Sequence, residues 1–154
     1  MFNAQSVVIS AGLLAFTCAV APALAADDLQ LAPGISYNSD SGTVFPIVAQ
    51  NLSDAKIEAG RANLIFFGAA GDLNTNRQAK RLVDLYKKER DARTKFIVVD
   101  VDHPVNDDAS TLIKKYYQGY VPSEIMLDTT GQVRWKEVGE MSRRKLQGQM
   151  GSAM

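Results

Sequence analysis

The sequence predicts a single α/β domain, and three observations support this class. Two short continuous apolar runs, ANLIFFGA (62–69) and KFIVVDVD (95–102), have the length and composition of strands that are covered on both faces. Each run is followed by a segment whose apolar residues recur at helical spacing. Two further short strands joined by a turn, and a closing helix, give a βαβ unit followed by a ββα unit.

The elements alternate regularly along the chain. The first predicted helix, LSDAKIEAG (52–60), is short, with Ser53 or Asp54 as its cap and Gly60 at its end. The others are, in order, the first apolar strand, a helix over 75–91, the second apolar strand, a helix after the loop HPVNDD, strands over 121–128 and 133–139, and a helix over 142–150.

The N-terminal segment has the pattern of a secretory signal peptide. The first 26 residues carry no charged side chain, and an apolar run ends in Ala-Leu-Ala, so cleavage is expected after Ala25 or Ala26. A retained membrane anchor is the alternative, although the run is short for a bilayer span. The predicted organisation is a signal peptide over 1–25, a flexible leader over 26–43, a folded domain over 44–150 and a frayed tail over 151–154.

Composition excludes several classes of function. The single cysteine, Cys18, lies within the predicted signal, so the mature chain has no thiol nucleophile, thiol redox centre or cysteine-ligated metal. The 17 acidic and 17 basic side chains balance, which argues against nucleic-acid binding. We expect a periplasmic or secreted protein that has no membrane contact after cleavage.

Four stretches in fixed order carry a resemblance to a known family. NLIFFGA, KFIVVDVD, YYQGYVPSEIML and DTTGQVRWKEVGEMSRRKL together resemble the thioredoxin-like fold family over about residues 44–150. The resemblance implies a three-layer α/β/α domain with a central mixed sheet of about four to five strands. It also implies that Pro122 is the family's cis-proline, whose preceding residue, here Val121, pairs with extended peptides through its backbone.

The family's redox residues do not carry over to this chain. In the resemblance, Asp72 and Thr75 occupy the two cysteine positions of the Cys-x-x-Cys motif, and Gly71 stands where a tryptophan precedes it. Phe66 replaces the acidic residue that is commonly buried behind the thiols, so the sequence predicts that the buried acid is absent. Thiol–disulfide exchange requires a thiolate, so this activity and thiol peroxidase activity are excluded. No cofactor is expected.

The remaining polar residues have structural explanations. Asp72 is expected to cap the helix that follows, with Asn74 or Thr75 as alternatives. The acidic stretch DVDHPVNDD contains the only histidine, His103, but its spacing matches no zinc or EF-hand pattern, so no metal site is predicted. Asp107 or Asp108 is expected to cap the next helix.

The sequence therefore favours a redox-inactive, exported binding domain. A protein or peptide partner is expected at the face formed by Gly71, Asp72, Tyr120, Val121, Pro122 and Gly139. One alternative is a structural or accessory subunit of an envelope complex. The other is an enzyme without thiols that uses Asp72, or the pair Asp102 and His103, as acid and base.

Overall fold

The computed structural model describes residues 28–40, 42–49, 54–89 and 93–153, so the predicted signal peptide and its cleavage site lie outside the described residues. The described chain forms, in order, β1 (Gln30–Leu31), β2 (Ile47–Val48), β3 (Ala62–Gly68), α1 (Leu73–Glu89), β4 (Thr94–Asp100), α2 (Asp107–Tyr116), β5 (Ser123–Leu127), β6 (Val133–Val138) and α3 (Arg143–Ala153).

Four strands form a mixed sheet in the order β4-β3-β5-β6. β3 and β4 are parallel and are connected through α1, as a crossover between parallel strands requires. β5 runs antiparallel to both β3 and β6. The turn between β5 and β6 is held by Asp128, whose Oδ1 accepts hydrogen bonds from the N–H groups of Thr130 and Gln132 at 2.8 and 3.0 Å.

Helices cover both faces of this sheet. Leu64 and Phe66 of β3 point towards α1 and α3, whereas Ile65 and Phe67 point towards α2. All four side chains are fully buried. Successive residues of a strand face opposite sides of the sheet. Because helices cover both faces, every position of β3 must be apolar or buried, which explains the continuous apolar run in the sequence. The predicted three-layer α/β/α domain is confirmed.

The segment predicted as a flexible leader contributes to the folded domain. β1 lies within this segment and pairs antiparallel with β2. Leu29, which precedes β1, is only 2% exposed and packs in the core between the sheet and α1. The sequence suggested a leader because residues 27–43 are polar and contain Pro33, Gly34 and Gly42, but the apolar residues near its start pair with β2 and enter the core. The folded domain therefore begins before residue 44.

The predicted helix over 52–60 is wrong for its described part, because residues 54–60 form no helix. The buried side chain of Asn63 binds the backbone there: its Oδ1 accepts from Glu58 N at 2.9 Å and its Nδ2 donates to Glu58 O at 3.0 Å. A segment of this length gains little from helix formation alone, so contacts with the next strand decide its conformation.

Two helix boundaries also differ from the prediction. α2 is capped by Asn106, whose Oδ1 accepts from Ala109 N at 2.8 Å, and not by Asp107 or Asp108, which form the first turn. α3 continues to Ala153, beyond the predicted start of a frayed tail at residue 151. Within the described ranges, no helix is long and apolar enough to cross a membrane.

Because Leu29 is part of the core, truncating it should destabilise the domain. We expect Leu29→Ala to lower the free energy of unfolding by about 2 to 3 kcal/mol, as for other buried leucines, measured by urea denaturation of a chain starting at residue 27. Val48→Ala is the matched control: Val48 is 41% exposed, and its truncation should cost well under about 1 kcal/mol. Equal small effects of both changes would contradict the packing of this segment.

Candidate functional site

The turn between β3 and α1 leads to Asp72 and Thr75, the positions at which the family resemblance places the two cysteines of the Cys-x-x-Cys motif. Gly71 has a φ of 79°, which a residue with a side chain rarely adopts, so it forms the turn. Asp72 then caps α1, since its Oδ1 accepts from Thr75 N at 2.6 Å and its backbone oxygen accepts from Asn76 N at 3.0 Å. The predicted capping role of Asp72 is confirmed.

Thr75, at the second cysteine position, is a packing residue. Its side chain is fully buried, and its Oγ1 accepts from Ala69 N at 3.4 Å. A β-carbon added to Gly68 would lie 2.5 Å from Thr75 Cγ2 and 3.0 Å from the Phe66 ring. Gly68 is therefore required for the helix to approach the strand this closely, and no free hydroxyl is left in the turn.

A segment of the predicted leader, residues 36–40, crosses the N-terminus of α1, and we call it the strap. Asp40 Oδ1 accepts from Leu73 N at 2.9 Å. The backbone oxygen of Ser36 accepts from Asn76 Nδ2 at 3.0 Å, and that of Tyr37 accepts from Arg77 Nε at 2.9 Å. At the helix N-terminus, the backbone N–H groups of Leu73 and Thr75 are thus bound by the carboxylates of Asp40 and Asp72.

The proline loop, residues 120–122, lies at the same end of the sheet as the turn between β3 and α1, because Phe67 near the end of β3 lies opposite Ser123 at the start of β5. The Val121–Pro122 peptide bond is cis. Pro122 O accepts from Gly139 N at 2.8 Å, which joins the loop to the end of β6 and uses the one backbone donor of Gly139.

Val121 differs from its neighbours in its backbone hydrogen bonding. Its N–H and C=O groups make no hydrogen bond with any described residue, and the residue is partly exposed. Tyr120 beside it is 66% exposed. The structure thus brings together Tyr120, Val121, Pro122 and Gly139, whereas Gly71 and Asp72 are occupied in starting α1.

The acidic stretch after β4 forms a local turn. Asp100 Oδ1 accepts from the N–H groups of Asp102 and His103 at 3.0 and 3.3 Å, and Oδ2 lies 3.5 Å from His103 Nδ1. Asp102 and His103 are not paired with each other in the described structure. In the described part of the chain, no three His, Cys, Asp or Glu side chains converge as metal ligands.

The structure contains a buried acid that the sequence interpretation missed. Glu124 of β5 is fully buried and lies directly opposite Phe66, the position where the acid was expected to be lost. The prediction that this site lacks a buried acid is therefore wrong, because the carboxyl group comes from the neighbouring strand. The signal was present in the sequence as a single charged residue inside the apolar strand SEIML.

Glu124 is held by one strong contact. Gln78 Nε2 of α1 donates to Glu124 Oε1 at 2.6 Å, while Oε2 is buried and has no hydrogen-bond partner in the described structure. Gln78 Oε1 in turn accepts from Met141 N at 2.9 Å and Arg81 Nη1 at 3.1 Å. Arg81 also forms an ion pair with Glu140 at 2.6 Å. Gln78 therefore connects α1, β5 and the segment after β6.

Burial shifts the proton affinity of this acid. The pKa of Glu124 is raised to about 7, chiefly by removal from water. The negative charge of Glu137 on β6 also raises the pKa, whereas the Gln78 hydrogen bond and the Arg81 charge lower it. Near neutral pH, this carboxyl group is therefore divided between its protonated and ionised forms.

Solved structures with the same architecture include thioredoxin-2, a component of the malaria parasite protein secretion machinery, at a TM-score of 0.51 and 18% identity over 60% of this chain and 82% of that one. StoA from Bacillus subtilis gives a TM-score of 0.51 at 13% identity, covering 79% and 96%. Another malarial protein gives a TM-score of 0.51 at 17% identity, covering 61% and 98%.

These likenesses, at identities this low, concern the fold alone. The chain has a thioredoxin-like α/β fold, as the sequence resemblance predicted. By sequence, neither the protein-family models nor the curated proteins give a match.

The raised pKa of Glu124 predicts a dependence of stability on pH. In the unfolded chain the pKa returns to about 4.5, so the folded state binds the proton more tightly. This contribution to stability is complete below about pH 4.5, is lost as the pH rises to about 7, and stays lost above that value. The difference in pKa corresponds to about 3 kcal/mol.

The variant Glu124→Gln removes this ionisation and keeps an acceptor for Gln78. Urea denaturation at pH about 4 and about 8 should show that the variant gains about 3 kcal/mol relative to the original chain at the higher pH only. Asp84→Asn, which removes a carboxylate that is 40% exposed, serves as the control and should show no such gain. A constant difference at both pH values would contradict the assignment.

Proposed function

We propose that this protein is an exported, redox-inactive thioredoxin-like domain that binds an extended peptide or protein segment at the proline loop. The observation that carries the proposal is the backbone of Val121, whose N–H and C=O groups have no partner among the described residues. Backbone groups left without partners on a surface are those to which an added strand can bind.

The surroundings of Val121 suit such a partner. The Gly139–Pro122 hydrogen bond joins the loop to the end of β6, so the binding groups are held in place before the partner arrives. A preorganised site avoids the entropy cost of ordering a loop during binding. Tyr120 and Val138, which are 66% and 47% exposed, offer apolar area for the side chains of the partner.

The absence of thiol chemistry follows from the residues in the turn. Asp72 and Thr75 stand at the positions of the two sulfurs, and both are engaged in starting α1. Cys18, the one cysteine of the chain, lies in the predicted signal peptide. Binding through Val121 needs no sulfur, so the scaffold keeps this use after losing the dithiol. The structural-subunit alternative shares this surface and differs in having a permanent partner.

The proposed backbone pairing predicts an alternating response to N-methylation. The probe is an acetylated and amidated hexapeptide of alternating valine and threonine, titrated into the mature domain and followed by amide NMR shifts at Val121 and Ser123. Methylating the peptide nitrogen opposite Val121 should weaken binding about fivefold, the value of one hydrogen bond, whereas methylating the next nitrogen, which points away, should not.

Two side-chain variants complete this experiment. Tyr120→Ala should weaken binding of the unmethylated peptide by a similar factor, because it removes exposed aromatic contact area. Val133→Ala, at the opposite end of β6 and 41% exposed, is the control and should bind as the original chain does. The proposal fails if no saturable shifts occur, or if all methylated peptides bind equally.

Export is tested separately by the mass of the protein. Full-length chain expressed in a Gram-negative bacterium should be recovered from the periplasm with Ala26 or Asp27 as its first residue, as intact-mass spectrometry would show. Recovery of the uncleaved chain in the membrane fraction would favour the anchor instead. The control chain carries Ala23→Lys and Ala25→Lys, which remove the small-residue pattern and should block cleavage.

A further inference from the structure

A concave feature lies at the carboxyl end of β4. β4 is the edge strand of the sheet, and β3 separates it from β5 and the proline loop. It is a cavity of about 230 Å³ lined by Phe45, Val98, Val99, Asp100, His103, Val105 and Ala109. Val98 belongs to the core under α1 and α3, and Val99 to the core under α2. A cavity that touches both must lie at the free edge of the strand.

The size of the cavity limits its ligand. A cavity of about 150 Å³ lined by apolar side chains holds benzene. The volume of about 230 Å³ here therefore accommodates an aromatic ring with a short chain attached, and is below the usual range for drug-sized ligands. Five of the seven lining residues are apolar, so a ring can replace water there without leaving polar groups unpaired.

The polar part of the lining is acidic and fixed in position. The Asp100 side chain is 13% exposed, and its Oδ1 is oriented by the N–H groups of Asp102 and His103. Oδ2 lies 3.5 Å from His103 Nδ1, and the His103 side chain is 79% exposed and can move aside. No lysine or arginine is among the seven lining residues. A partly desolvated carboxylate at one end of an apolar cavity favours a cationic group there.

We propose that this cavity binds a small arylalkylammonium ligand, with its aromatic ring between Phe45, Val98 and Ala109 and its ammonium group at Asp100. The ring supplies the apolar contact area, and the ammonium group donates a hydrogen bond to Asp100 Oδ2. This site is distinct from the proline loop and does not depend on peptide binding there.

A series of ligands that share one ring and differ in charge tests the assignment. The probes are 2-phenylethylamine, 2-phenylethanol and 3-phenylpropionate, each titrated to about 20 mM into the mature domain near neutral pH and followed by amide NMR shifts. Saturable shifts at Val99 and Ala109 are expected, with the amine binding about three- to tenfold more tightly than the alcohol, and the carboxylate weakest.

Two variants separate the ring contact from the charge contact. Asp100→Asn keeps acceptors for the two N–H groups and should reduce binding of the amine to that of the alcohol, while binding of the alcohol is unchanged. Ala109→Ile fills the cavity and should abolish binding of both. Asp84→Asn is the charge control and should leave all affinities unchanged.

Three results would overturn the proposal. They are the absence of saturable shifts with the amine, equal affinity for the amine and the carboxylate, and unchanged selectivity in the Asp100→Asn variant. If Ala109→Ile does not fold, as its amide spectrum would show, the Asp100→Asn comparison decides alone. The dipeptide phenylalanyl-lysine amide, used in parallel, tells whether an aromatic side chain of a basic peptide can replace the free amine.

Discussion

The buried amide of Gln78 is the contact on which the arrangement of the site depends. Its nitrogen binds the carboxyl group of Glu124 on β5, and its oxygen binds the backbone of Met141 between β6 and α3. One side chain of α1 thus sets the distance from the helix to β5 and to the segment that follows β6. Unmade hydrogen bonds are costly in a buried position, so the three segments keep their relative position or lose it together.

This network explains why the proline loop can leave backbone groups free. Pro122 is held by β6, and the strand that follows it is anchored by Glu124, so the position of Val121 is determined by its neighbours and not by bonds of its own. A rigid framework around an unsatisfied segment is typical of binding sites. The framework also contains a group that titrates near neutral pH, so the proton and the hairpin are linked thermodynamically.

The sequence predicted what depends on local patterns. The apolar runs of β3 and β4 predicted two strands that are covered on both faces. The hydrogen bond by which Asp72 caps α1 spans only three residues, so it could also be predicted from the sequence. The buried acid and the strap were missed because they depend on contacts between distant residues: Gln78 and Glu124 are 46 residues apart, and Asp40 and Leu73 are 33 apart. Nothing in a polar leader or in one charged strand residue reveals such partners before the chain is folded.

The strap has a consequence for any attempt to engineer a redox enzyme on this scaffold. A cysteine at position 72 would remove the side chain that caps α1. A cysteine at position 75 would place its sulfur where the Thr75 side chain is buried against Gly68 and Ala69. Residues 36–40 would still occupy the helix N-terminus that lowers the pKa of a thiol. Introducing thiol chemistry at this turn therefore needs a different path for residues 36–40 as well as two substitutions.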